Sequence, residues 1–328
     1  MQLKHFDGIN NMKLTTLKSN LSLALSLANR AVDKKSTSLQ ALTGLLLTVK
    51  DGFLIISSTD LERRFDISVG AKVDSDGMFL VPATTFSDII AGCGANISLE
   101  TDSKTQMLKI VSGNRKSTIK GWDVENYPKR RSTSGYTELV MPTQVLKWGL
   151  QQTVVAAAVK DPRPMLISVN FVVENGKMTF AASDGFRACF AKPHTTIDDG
   201  VDVNVIIPTP AVNDIIKILS TTDYGDVTLL MSRDEFCLTA GSIEFQCRVI
   251  DEKFPRIDHL LMKETTFVFN VDTELLKDTL NATKAFKTTS GKDGYVTARI
   301  KGTGANELTI SAGGEDGDFV DTISIEGD

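Results

Sequence analysis

LISVNFVVENGKMTFAASDGFRACFAKP, residues 166–193, decides the fold. The Asn175-Gly176 pair between two runs of β-branched and aromatic residues reads as a tight turn between antiparallel strands, and Ser183-Asp184-Gly185 reads as a corner leading into a third strand. Two further stretches follow the same plan. Residues 42–69, LTGLLLTVKDGFLIISSTDLERRFDISV, put Asp51-Gly52 at the turn and Ser58-Thr59-Asp60 at the corner. Residues 295–325, YVTARIKGTGANELTISAGGEDGDFVDTISI, put Gly304 to Asn306 at the turn and Gly314 to Asp316 near the corner.

Each stretch follows a helical pattern. Leu17, Leu21, Leu25 and Ala28 share one face of an amphipathic run over 17–32, and similar runs occupy 145–158 and 275–286. Leu17, Leu146 and Leu275 stand 129 residues apart, and the closing prolines Pro128 and Pro255 stand 127 apart. After the first two stretches come a short strand ending in Pro82 or Pro208, a second helix, and further strands at 97–101, 107–111 and 117–120, then at 227–231 and 235–239. Recurrence of one element order at one spacing implies tandem homologous domains. The expected class is α+β in three tandem repeats, with a tail at 1–11, domains at 12–134 and 135–262, and a partial third domain at 263–328 that stops ahead of its own short strand and second helix.

A length of 328 residues with 41% apolar content suits two or three cores. No run of 18 apolar residues exists, and MQLKHFDGINN lacks the apolar stretch of a secretory signal, so the expected location is cytoplasmic. Cys93, Cys189, Cys237 and Cys247 are spread without metal or disulfide spacing, and His5, His194 and His259 do not cluster. The net charge of −5 argues against binding nucleic acid by bulk attraction but allows a local basic surface.

Candidate chemistry divides into carboxylates and cations. Asp60, Glu62, Asp184, Glu315 and Asp316 are the types that hold a divalent metal, yet they sit at equivalent corners of separate repeats, where an Asp usually accepts backbone N–H bonds. No phosphate loop, dinucleotide fingerprint, nucleophile elbow or paired-histidine motif is present, and no cofactor is expected. Lys34 and Lys35, Lys160 and Arg163, and Lys284, Lys287 and Lys292 each follow the first helix of their own repeat. Three such clusters around an axis would line one surface facing phosphates; singly, each suits a helix C-terminus.

Met12-Lys13-Leu14-Thr15, Thr59-Asp60-Leu61-Glu62, Val81-Pro82-Ala83 before Phe86, Ser183-Asp184-Gly185-Phe186-Arg187 and FQCRVIDEKFP at 245–255 together resemble the bacterial sliding clamp family, the beta subunit of DNA polymerase III, over nearly the whole chain from Met12. The resemblance implies a clamp-type domain repeated around a homodimeric ring, with helices lining the hole and antiparallel sheets outside, the third repeat being truncated. It implies a non-catalytic processivity factor for a DNA-directed DNA polymerase, encircling duplex DNA without reading its sequence. Lys34, Lys35, Lys160, Arg163 and Lys287 would face the DNA. Short peptide motifs of the polymerase, the clamp loader and repair proteins would occupy a pocket of Leu166, Ser183, Gly185, Phe186, Arg187, Ala188, Pro255, His259 and Leu260. The alternative expectation is a clamp-fold interaction protein that does not encircle DNA.

Overall fold

The computed structural model describes residues 11–35, 39–102, 104–195, 197, 200–221, 225–255, 268–286, 297–304, 306–314 and 317–327, and the chain divides into two compact units, Met1–Pro255 and Arg256–Asp328. The first half of the first unit runs β1 (Lys13–Leu17), α1 (Lys18–Ala28), β2 (Gly44–Lys50), β3 (Phe53–Thr59), β4 (Arg63–Ser75), β5 (Gly77–Pro82), α2 (Ala83–Ala91), β6 (Asn96–Asp102), β7 (Met107–Ser112) and β8 (Arg115–Lys120). The second half repeats that order as β9 (Thr137–Pro142), α3 (Thr143–Val154), β10 (Ser168–Glu174), β11 (Lys177–Ser183), β12 (Ala188–Ala191), β13 (Val203–Pro208), α4 (Thr209–Leu219), β14 (Asp226–Met231), β15 (Glu235–Ala240) and β16 (Ile243–Arg248).

Local chemistry sets these boundaries. The β2–β3 and β10–β11 hairpins turn at Asp51-Gly52 and Asn175-Gly176, where all four residues have positive φ, between 50° and 82°. That is the geometry for which Asn-Gly and Asp-Gly are selected. The helices α2, α3 and α4 each start directly after a proline, at Pro82, Pro142 and Pro208, whose φ lies between −58° and −61°. Proline closes each strand because it has no N–H for the ladder, and its fixed φ leads into the helix.

The helix register corrects the sequence reading. Leu17 precedes α1 and is 47% exposed, whereas Leu21, Leu25 and Ala24 are buried. Their counterparts in α3 are Leu146, Leu150 and Gly149, also buried, so the two helices are offset by 125 residues. The spacing of 129 therefore joined a residue ahead of one helix to a residue inside the next.

The strand β4 holds the unit together. Residues Arg63 to Ile67 pair with β16 on one side, Arg64 to Gly70 pair with β3 on the other, and the far end of the same strand pairs with β1. One antiparallel sheet consequently runs β8-β7-β6-β1-β4-β16-β15-β14-β9 through both halves, while β12-β11-β10-β13 forms a second. At the seam Phe65 stands opposite Phe245 with ring centroids 4.9 Å apart, and a single apolar cluster extends to both sides of it. A buried charge group spans the same seam. Asp214 on α4, with no exposed side-chain surface, accepts from Arg30 Nε (2.5 Å) and Arg63 Nη1 (2.8 Å), both belonging to the first half.

The second unit contains β17 (Phe269–Asn270), α5 (Thr273–Thr283), β18 (Arg299–Gly304), β19 (Glu307–Gly314), β20 (Gly317–Ser324) and β21 (Glu326–Gly327). Asp272 caps α5 by accepting from the Leu275 N–H at 2.8 Å. Leu308, Ile310, Ile323 and Ile325 form its buried core, against which Leu276 and Leu280 pack. Leu275, the residue picked out by the spacing of 129, is 43% exposed. Antiparallel sheets covered by a few helices give an α+β architecture throughout, and no helix among the described residues is long and apolar enough to cross a membrane.

Candidate functional site

The corner after β11 is built by side chains bonding their own backbone. Ser183 Oγ donates to the Arg187 carbonyl (2.8 Å) and accepts from the Gly185 N–H (3.1 Å). Asp184 Oδ1 accepts from the N–H groups of Phe186 and Arg187, each at 2.9 Å, and Arg187 Nε reaches Asp184 Oδ2 at 3.0 Å. The Arg187 N–H, then the Phe186 N–H and the Arg187 side chain, hold the Asp184 carboxyl below the usual carboxylate range. Gly185 turns through φ +88°, which only glycine adopts without strain.

The corner after β3 repeats these bonds. Thr59 Oγ1 donates to the Arg63 carbonyl (2.8 Å) and accepts from the Leu61 N–H (3.0 Å), while Asp60 Oδ1 accepts from the N–H groups of Glu62 (3.1 Å) and Arg63 (2.6 Å). Asp60 and Asp184 thus serve their own corners, the structural role that the sequence offered against a metal site. Among the described residues no three His, Cys, Asp or Glu side chains converge, and Glu315 and Asp316 lie outside the described residues.

Around the second corner the structure gathers most of the residues assigned to a peptide pocket. Leu166 and Ser183 are buried, Ala188 is half-buried, and Gly185, Phe186 and Arg187 are exposed. Phe186 is 100% exposed, because the bonds to Asp184 fix its backbone at the tip of the corner. A Cβ on Gly185 would lie 3.9 Å from Leu166 Cδ1, so Leu166 forms the floor beside the tip. Pro255, at the end of the same unit, is exposed, and His259 and Leu260 lie outside the described residues.

Arg163, expected to face DNA, comes to this corner as well. Its Nη2 lies 3.7 Å from the position a Cβ on Gly185 would take, and the Ala158 N–H to Leu166 carbonyl bond (2.8 Å) ties the loop after α3 to the same place. Its guanidinium bonds Asp161 through Nε (2.9 Å) and Nη2 (3.0 Å), and with the Arg163 N–H this pulls the Asp161 carboxyl down to about 2. Lys34, Lys35 and Lys160 are exposed and make no ion pair among the described residues, and Lys287 lies outside the described residues. Arg30, Asp214 and Glu235 carry no local sequence signal of their roles, since their partners are distant in the chain. Glu235, also buried, accepts from Arg131 Nη1 (2.6 Å), Tyr136 Oη (2.7 Å) and Gln246 Nε2 (2.7 Å).

The family model described as DNA polymerase III beta subunit, N-terminal domain, matches residues 12–131, and that of the central domain matches residues 140–256. A beta sliding clamp from Staphylococcus epidermidis is 28% identical over 228 residues, covering 67% of this chain and 60% of that protein. One from Staphylococcus aureus is 26% identical over 245 residues, covering 72% and 64%. The chain thus spans less than two thirds of the length of these relatives. The solved DNA polymerase sliding clamp of Bacillus subtilis superposes with a TM-score of 0.86 at 22% identity, covering 97% of this chain and 86% of that one. A Pseudomonas aeruginosa sliding clamp bound to griselimycin superposes with a TM-score of 0.87 at 21% identity, covering 97% and 85%. At these identities the structural likeness is one of fold.

Proposed function

As the chain belongs to the family of DNA polymerase III beta subunits, we propose that it acts as a DNA sliding clamp, a cytoplasmic and non-catalytic processivity factor that encircles duplex DNA and tethers a replicative polymerase. The observation that carries this reading is the tandem match of two successive beta-subunit domain models over a chain whose two corners agree bond for bond. In this reading the subunit has domains at 12–134, 135–262 and 263–328, and a second copy closes the ring. Enclosure, not attraction, retains the DNA, which suits a chain of net charge −5. Lys34, Lys35, Lys160, Arg163 and Lys287 supply weak, salt-sensitive phosphate contacts that permit sliding.

The second corner is the docking point for partners. Phe186 and Leu166 offer apolar surface to a short linear peptide, while the Ser183–Arg187 bonds hold the corner in one shape; the same reading assigns Gly185, Arg187, Ala188, Pro255, His259 and Leu260 to the site, His259 and Leu260 lying outside the described residues.

Ring closure is tested by loading the protein onto gapped plasmid circles with its cognate clamp loader and then cutting the circle once. The clamp reading expects the protein to travel with circular DNA and to be released by the cut. Retention on linear DNA, or failure to load, sinks it and favours a clamp-fold interaction protein that binds peptides without encircling DNA. The ion pairing of Arg163 to Asp161, which spends one of the expected DNA-facing charges, is the observation on the side of that second reading.

A further inference from the structure

We infer that the cleft beside the first corner is a binding site for a peptide segment that presents a carboxylate next to an apolar side chain. The inference does not rest on the clamp reading. A cavity of about 60 Å³ opens between the Thr59–Arg64 corner, the linker that follows Pro128, and the end of β16. Its lining joins an apolar side chain, Leu61, to a ring of charged ones.

The lining charges separate into spent and available ones. Arg63 is committed to Asp60 and Asp214, and Arg64 to Asp66. Three exposed cations remain at the mouth. Lys129 makes no ion pair among the described residues, Arg248 reaches Glu62 only at 3.9 Å, and Arg131 spends Nη1 on buried Glu235 and keeps its other donors. In a chain of net charge −5 such a local surplus suits an anionic group.

Leu61 specifies what accompanies that group. It lines the cavity, is 49% exposed and holds φ +74°, where the second corner has Gly185. A leucine in that region is strained, and the strained backbone keeps an apolar side chain at the rim. The site therefore offers cations beside an apolar contact. Glu62, exposed at the same rim, repels each phosphate of an extended phosphodiester chain, whereas a peptide brings a single carboxylate. Together with the apolar contact that Leu61 offers, this favours a peptide over nucleic acid.

The test uses the full chain and a fluorescent capped peptide with one aspartate between two leucines, followed by anisotropy. Lys129→Ala and Arg248→Ala should each weaken binding about fivefold or more, and Leu61→Gly, which relieves the positive φ, should weaken it without lowering the melting temperature. A matching peptide with asparagine in place of aspartate should bind no better to wild type than the aspartate peptide binds to Arg248→Ala. Phe186→Ala at the second corner should leave this binding unchanged, so failure here and failure of the second-corner pocket are separable. Affinity indifferent to all three first-corner variants overturns the proposal. Displacement by a short DNA duplex at lower concentration than by unlabelled peptide, lost in the same variants, also overturns it and assigns the cleft to nucleic acid.

Discussion

Asp214 and Asp184 are chemically the same residue put to opposite uses. Burial pushes the Asp214 carboxyl above its ordinary value, and Arg30 and Arg63 pull it back, whereas N–H donors push Asp184 below. Carboxyl titrations followed by NMR should place the Asp184 midpoint below the reference of about 3.9 and that of Asp214 above it; the reverse order would refute this account. The signs for stability differ accordingly. Asp184 contributes stability that is present above the unfolded-chain value and lost as pH falls through its folded value. Asp214, with a raised folded value, takes up its proton first in the folded state, so acidification through that window favours folding at this site. Removing the side chain is a different matter from protonating it, because two guanidiniums at the seam lose their shared acceptor. Asp214→Ala should lower the urea-derived stability of the first unit by about 3–5 kcal/mol, and a loss under 1 kcal/mol would show that the ion group is incidental. The two residues also differ in legibility. The Asp184 corner could be read from sequence because all its partners lie within three residues. Asp214 could not, since its partners are 151 and 184 residues away.

Helix packing in the two halves trades volume between partner elements. A Cβ on Gly149 of α3 would stand 2.3 Å from the Phe180 ring of β11. The equivalent positions of the first half hold Ala24 and Ile56, both buried, so the larger helix residue accompanies the smaller strand residue. Gly149→Ala should therefore destabilise the first unit by roughly 1–3 kcal/mol through overpacking, although alanine alone favours a helix by about 1 kcal/mol. Adding Phe180→Ile, which reproduces the first half's pair, should recover most of the loss. Thermal melts of the four proteins in the cycle decide it, and additive losses would mean that the two sites do not share one space. At this scale the hairpins were legible because Asp51-Gly52 and Asn175-Gly176 carry their geometry locally. Helix register was less so, since repeated leucines at 17, 146 and 275 match in type but not in burial. The full length of β4 and the existence of β16 went unread, because pairing between Phe65 and Phe245 is a contact 180 residues apart that no local pattern announces.

Two repeats need not unfold as two bodies, and here the seam argues that they do not. The apolar cluster continues across β4 and β16, so loss of either half exposes the other's core. The first unit should unfold in one cooperative transition, with Phe245→Ala shifting that whole transition by about 3–5 kcal/mol instead of splitting it. Among the described residues the second unit's core cluster is Leu308, Ile310, Ile323 and Ile325, far smaller than the cluster of the first unit. Hydrogen exchange should accordingly find β19 amides opening at lower free energy than those of β3 or β10. A second copy that closes a ring adds binding energy to whichever surfaces it covers, and protection in the second unit should then rise with protein concentration by mass action. Light scattering on the same samples should show the mass passing from 35.7 kDa toward twice that value. Concentration-dependent protection in β19 that tracks the dimer fraction would tie the second unit to ring closure. Protection independent of concentration, alongside a dimer that forms nonetheless, would move the subunit interface to the first unit.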